Sequence, residues 1–520
     1  MKSPHLLLLA LLCSTTLAWA DPGDSILDYI EASWDTLSRG LSDLDQAAVD
    51  PKLGERKVWP VYVAPSQYEQ VKERLERELD PDKRARIELR PLPEGPLQVH
   101  GLLYLPHPYV VPGGRFNEMY GWDSYFINLG LLRGGRIEQA RQMVDNHLYQ
   151  VRYYGQVLNA NRTYYLQRSQ PPFLATMVGD VYRYSGDREW LRQAMPLLEK
   201  TYAFWTSPPH LVAQTGLSRY YSLGEGPAPE VLSGERDADG RNHYDKIRQV
   251  YRDLKDDPGY DLSLYYDREK DELTPLFYKG DRSMRESGYD PSDRFGRFNI
   301  DVIHYLPVDL NCLLYSYERE MARLEAELGG DGRVWLERAA QRRDNIMQYN
   351  WDAQAGLFFD YNFRTGKRRV YPFATTFFPL WAGLVRPEVA AGVEANLSQF
   401  ERPGGVVTST YTSGNQWDAP FGWAPLQMVA VQGLRRYGYD KDADRLSLAF
   451  LSLVAEEFDK SKTIVEKYDV VERSASVSKG IAYGYSSNEI GFGWTNAVFL
   501  ELLDELPPKL RQKLFKDQLL

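Results

Sequence analysis

The chain has 520 residues, 43% of them hydrophobic and 26% charged, the balance of a folded globular protein, which excludes disordered and collagen-like architectures. Against 72 aspartates and glutamates stand 62 lysines and arginines, a formal charge of −10 with no long basic run, so the electrostatic footprint of a nucleic-acid binder is missing. Aromatic residues reach 13%, with 36 Tyr and 12 Trp, which suits a ligand with flat apolar faces and hydrogen-bonding edges, as sugars have.

At the N-terminus, Lys2, the apolar run 6–12 and Ala18-Trp19-Ala20 before Asp21 have the layout of a secretory signal removed after residue 20. That reading places the mature chain, 21–520, in the bacterial periplasm or outside the cell. It leaves no membrane anchor, because the run is far shorter than the roughly 20 residues that span a bilayer. Cys13 falls in the signal, so only Cys312 remains and no internal disulfide is expected. Stability must then come from a large core.

Apolar residues at three- and four-residue steps, such as Ile137, Ala140, Met143, Val144, Leu148 and Val151, predict a helix over 137–151. The same period predicts helices over 190–205, 310–324, 334–349, 387–400, 426–437, 443–458 and 495–503. Strand-like stretches are short and isolated. Between the helices lie long segments dense in Gly, Pro, Asp and aromatics: 106–123, 155–172, 220–242, 279–297, 408–425 and 470–494. Loops of this length usually carry function. No low-complexity linker divides the chain and no repeat of fixed period appears. A single all-α domain over 21–520 is expected, its paired helices closing around an axis with the loops at one rim.

Hydrolysis of a glycosidic bond needs two carboxyl groups, one protonated to donate and one ionised to act from the other face. Asp290, between Tyr289 and Pro291, lies where a carboxyl can be desolvated, although Asp290-Pro291-Ser292-Asp293 is also good turn chemistry. Glu466 in Glu466-Lys467-Tyr468-Asp469 offers a second carboxylate, and a solvated charged segment is its bland alternative. Arg115, Asp123, Arg168 and Asp418 each pair a charged group with a neighbouring aromatic, glycine or polar loop residue, an arrangement that serves hydroxyl-rich ligands or structural ion pairs equally well.

Longer patterns narrow the choice. Pro112-Gly113-Gly114-Arg115-Phe116-Asn117-Glu118-Met119-Tyr120-Gly121-Trp122-Asp123 resembles the first signature of the trehalases, and Gln416-Trp417-Asp418-Ala419-Pro420-Phe421-Gly422-Trp423 the second. The stretches 159–173, 286–294, 466–470 and 491–496 also resemble trehalase segments, in family order. The resemblance implies an (α/α)6 barrel that hydrolyses α,α-trehalose to two glucoses with inversion, with neither metal nor organic cofactor; a monomer is expected. By motif position it implies Asp290 as general acid and Glu466 as general base. It further implies sugar contacts from Arg115, Trp122, Asp123, Asn159, Arg168, Ser169, Gln170, Glu230 and Gly288.

Departures from the pattern gather around those contacts. Pro227-Ala228-Pro229-Glu230 lacks an arginine that the family carries at position 228. The glycine-rich lid is replaced by 477–486, which puts Tyr485 where a glutamate is usual, with Glu489 nearby but out of register, and Phe421 replaces an asparagine. Losing charge-assisted hydrogen bonds of about 1.5–3 kcal/mol each is enough to change which disaccharide fits. Two alternatives therefore stand beside trehalose hydrolysis: an α-glucosidase of another specificity, and a sugar-binding relative without turnover.

Overall fold

The computed structural model describes residues 25–517 apart from 233–235, 238, 478–480, 482 and 486. The signal expected at 1–20 and part of the altered lid lie outside the described residues.

Helix α1, Ile26–Thr36, starts where the Ser25 hydroxyl accepts the Asp28 amide at 3.1 Å. A small unit follows, in which strand β1 (Trp59–Val63), helix α2 (Tyr68–Glu78), strand β2 (Ile87–Pro91) and strand β3 (Leu102–Leu103) form a parallel sheet with β1 in the middle. Val61, Val63, Val71 and Leu75 pack there in a core of their own. Sequence periodicity misses this unit because β1 is five buried residues with a proline and α2 offers only Val71 and Leu75 to the core.

The helices of the main body are α3 (Asp123–Arg133), α4 (Ile137–Tyr149), α5 (Leu174–Ser185), α6 (Arg188–Trp205), α7 (His243–Asp253), α8 (Pro275–Ser287), α9 (Val308–Glu327), α10 (Arg333–Tyr349), α11 (Phe378–Trp381), α12 (Pro387–Ala395), α13 (Ala424–Arg436), α14 (Asp440–Ser461), α15 (Gly493–Glu505) and α16 (Pro508–Asp517). Helices α3, α5, α9, α11, α13 and α15 touch in sequence, and α15 returns to α3, so six helices close an inner ring. Helices α4, α6, α10 and α14 each pack outside the inner helix they follow, α12 follows α11, and α1 packs against α15, which completes an (α/α)6 barrel. Inner helices are buried nearly all round, α13 from Ala424 through Val431 without a break, whereas α10 buries only Trp335, Ala339, Arg342 and Ile346. Ring closure depends on Gly130, where a Cβ would sit 2.9 Å from that of Ala497 and 2.7 Å from the Trp34 ring.

All eight helices expected from periodicity are present, with ends shifted by a few residues. The expected loop over 279–297 is corrected: its first part is helical, within α8. Lys279, Asp281, Arg282 and Glu286 are buried on that helix, so its inward face is charged and no apolar stripe reveals it.

Candidate active site

Every sequence-predicted site residue before the inner helices falls at the same rim. Trp122 and Asp123 open α3, residues 159–173 lead into α5, 288–307 into α9, 416–423 into α13 and 466–492 into α15. Topology thus gathers at the N-terminal ends of the inner helices side chains that lie more than 300 residues apart in the chain.

Aromatic rings build the floor. The Trp122 ring meets Tyr289, Trp494 and Trp417 at 5.5, 5.7 and 5.9 Å between centroids, and Trp417 stacks on Trp423 at 3.8 Å. Gly288 lies against this floor with φ at +81°, and a Cβ there would fall 2.9 Å from the Trp122 ring.

Backbone bonds tie the flanking loops together. Asn159 donates its amide to the Arg168 carbonyl at 2.8 Å and accepts from Gly121 at 3.0 Å, while Gln170 Oε1 accepts the Trp122 amide at 2.9 Å. The Ser169 amide donates to Oε1 of buried Glu286 at 3.1 Å. Arg168 and Glu230, both buried, form an ion pair at 2.5 Å, and Arg168 Nη1 and Glu230 Oε2 lack any partner within the described residues. Burial works to raise the Glu230 pKa, but Arg168 and then Arg285 outweigh it, and the carboxyl lies below its ordinary value. A buried guanidinium and carboxylate with free hydrogen-bonding capacity fit the hydroxyls of a sugar.

The two carboxyl groups singled out in the sequence occupy contrasting surroundings. Asp290 keeps 35% of its side chain open, and Arg285 Nη1 lies 3.8 Å from its Oδ2. Desolvation pushes its pKa up to about 7 against the pull of Arg285 and Arg168, with Glu466 adding to the rise. Gln416 Nε2 donates to the Asp290 carbonyl and the Trp417 amide donates to that of Pro291 at 3.1 Å, so the second signature holds the Asp290 segment in place. Asp418 continues that splint by accepting the Asp293 amide at 2.9 Å. Its buried carboxyl is pushed up to about 7.

Glu466, 2% exposed, precedes strand β5 (Lys467–Asp469), which pairs antiparallel with strand β4 (Phe421–Trp423) of the second signature. Phe421 is buried in β4. Lys467 Nζ lies 3.0 Å from Glu466 Oε2, and the Tyr485 hydroxyl donates to Oε1. Burial raises the Glu466 pKa above its ordinary value, with Lys467 and Tyr485 opposing the rise. Asp123, buried and within electrostatic reach of both Glu466 and Asp290, is pushed up to about 8, chiefly by desolvation.

Arg115 lies 4.2 Å above the Tyr485 ring, with its Nε 3.6 Å from Glu489 Oε1 and its amide donating to Oε2 at 2.8 Å. Glu489 therefore reaches Arg115 although it is out of register with the family glutamate. Sequence reasoning missed Arg285, and the roles of Lys467 and Tyr485 on Glu466. A signal for Arg285 existed: Asp281 stands four residues before it, a helical spacing for an ion pair.

A family model described as Trehalase matches residues 37–507. The chain is 39% identical over 432 residues to the cytosolic neutral trehalase of Kluyveromyces lactis, covering 76% of this chain and 56% of that protein. It therefore spans little more than half the length of that relative. To the periplasmic trehalase of Citrobacter koseri it is 37% identical over 432 residues, covering 78% and 70%. Among solved structures it resembles neutral trehalase Nth1 from Saccharomyces cerevisiae, with a TM-score of 0.78 and 34% identity over 94% of each chain. The periplasmic or secreted location expected from residues 1–20 is overturned by these comparisons, since fungal relatives from several species are named cytosolic. A lysine and a short apolar run are a weak compositional signal. No helix among the described residues is long and apolar enough to cross a membrane.

Proposed function

The chain belongs to the trehalase family, and we propose that it hydrolyses α,α-trehalose to two glucose molecules with inversion, Asp290 acting as general acid and Glu466 as general base. One observation carries the reading: two carboxyl groups at one rim sit in contrasting surroundings, Glu466 gripped by two hydrogen-bond donors and Asp290 facing a guanidinium at a distance. Both oxygens of Glu466 have a donor, Lys467 or Tyr485, so its anion is stabilised. Asp290 has the Arg285 guanidinium at 3.8 Å and is pushed up to about 7, so it holds a proton near neutrality.

In the reaction, Asp290 protonates the glycosidic oxygen as the C1–O bond breaks. Glu466 takes a proton from the water that attacks C1 from the opposite face. Inversion requires that water to fit between the carboxyl groups, at a separation of about 6.5–9.5 Å. The Trp122 and Trp417 rings support a pyranose face. Arg168, Glu230, Asp123 and the 159–170 loops address its hydroxyls, and Arg115 closes the side nearest Tyr485.

Glucose release from trehalose, measured beside kojibiose, nigerose and maltose with Asp290→Asn as control, tests the reading. Release from trehalose that the control lacks supports it. Release from another disaccharide alone assigns a different specificity, and release from none assigns a sugar binder without turnover.

A further inference from the structure

The α8 helix carries a buried ionic cluster that touches both halves of the site. Asp281, with no exposed surface, accepts Nε and Nη2 of Arg285 at 3.2 and 3.1 Å, one helical turn away. Its Oδ2 also accepts the Tyr244 hydroxyl from α7 at 2.8 Å, and that hydroxyl oxygen accepts the Ala228 amide at 3.0 Å. Neighbouring α8 side chains hold the same loop: Lys279 Nζ donates to the carbonyls of Ser222 and Gly224, and Arg282 to those of Gly226 and Pro227. One carboxylate thereby anchors the loop that presents Glu230 and orients the guanidinium that faces Asp290.

We propose that Asp281, with Tyr244, is a positioning residue of the reaction: it fixes Arg285 at its observed distance from Asp290 and neutralises enough of its charge for Asp290 to keep its proton. The inference rests on the general-acid reading of Asp290. It accounts for a geometry that a substrate-binding arginine alone does not require. Two of the guanidinium nitrogens are bound to Asp281, leaving Nη1 to point at Asp290 from 3.8 Å rather than close on it.

The groups facing Asp290 are Arg285, Arg168, Glu466, Asp123 and Tyr485, and those facing Arg285 are Asp281, Tyr244, His243, Glu230, Arg168 and Asp290. His243 is pushed down to about 4, mainly by burial, so it stays neutral over the working range and does not replace Asp281. Removing the Asp281 charge leaves Arg285 as an uncompensated cation, free to swing onto Asp290. The ionised form of Asp290 is then favoured, and the acid is lost at lower pH.

The test compares wild type, Asp281→Asn and Tyr244→Phe on trehalose and on α-D-glucosyl fluoride, whose fluoride departs without needing a full proton. Expected for Asp281→Asn is an alkaline limb of kcat/KM displaced downward by about one pH unit. Turnover of trehalose at pH 7 should fall about fivefold, with fluoride release changed less than twofold. Tyr244→Phe should move the limb in the same direction by less, and it decides the matter if Asp281→Asn does not fold. A folded variant with an unmoved limb, or with equal losses on both substrates, overturns the positioning role while the wild-type bell stands. A wild type that releases glucose from no disaccharide overturns the parent reading and this inference together.

Discussion

The Tyr485 hydroxyl donates to Oε1 of Glu466, so the residue standing where the family pattern has a glutamate serves this site as a donor to the Glu466 carboxyl. A carboxylate there would repel Glu466, whereas a phenol stabilises its anion and offers Arg115 a ring face at 4.2 Å.

Tyr485→Phe should therefore raise the pKa of Glu466. The base must be ionised, so the acidic limb of kcat/KM should move upward by about one pH unit, equivalent to about 1.4 kcal/mol and in line with a hydrogen bond to a charged group. A pH–rate profile of the variant beside wild type reads this directly, and an unmoved acidic limb would show that the bond does not act on the base.

Wild type should give a bell-shaped profile whose alkaline limb lies near pH 7, where Asp290 loses its proton. Arg285 lowers the Asp290 pKa, so Arg285→Met should carry that limb to higher pH, opposite to Asp281→Asn, and raise KM for trehalose. Movement of both variants in one direction would contradict the charge argument.

Glu466→Gln keeps the shape of the side chain and loses the base. Turnover should drop by about two to four orders of magnitude. Calorimetric titration with trehalose should show affinity within severalfold of wild type, and a comparable loss of affinity would move Glu466 from catalysis to binding.

Gly288→Ala forces an L side chain into a left-handed conformation and presses a Cβ on the Trp122 ring at 2.9 Å. A stability loss of about 1–3 kcal/mol is expected, with a raised KM as the aromatic floor shifts. Denaturant melting together with steady-state kinetics checks both effects.

Arg162, with no exposed surface, donates to Glu118 and to the carbonyls of Ala47, Ala48 and Val49, clamping the N-terminal unit to the barrel. Arg162→Met leaves buried Glu118 without its cation and takes a donor from three carbonyls, and should lower stability by about 3–5 kcal/mol, read as a lower urea midpoint. A midpoint near that of wild type would mean the clamp is dispensable.

By itself, the sequence determined the eight periodic helices, because an apolar stripe at 3.6-residue spacing is a local property that survives without tertiary context. It also carried the family signatures and the positions of Asp290 and Glu466. Helix α8 escaped because its buried face is charged: Asp281 pairs with Arg285 one turn away, but Lys279, Arg282 and Glu286 are held by the 169 and 221–228 segments, and Asp281 also by α7, partners that no local window of sequence contains. The tertiary structure alone decided that Arg285 faces Asp290, that Lys467 and Tyr485 grip Glu466, and that Glu489 reaches Arg115. Ring closure brings Glu489 to Arg115 across 374 residues, the path of each loop sets the nearer pairs, and the proton affinity of each carboxyl follows from the neighbours it meets there.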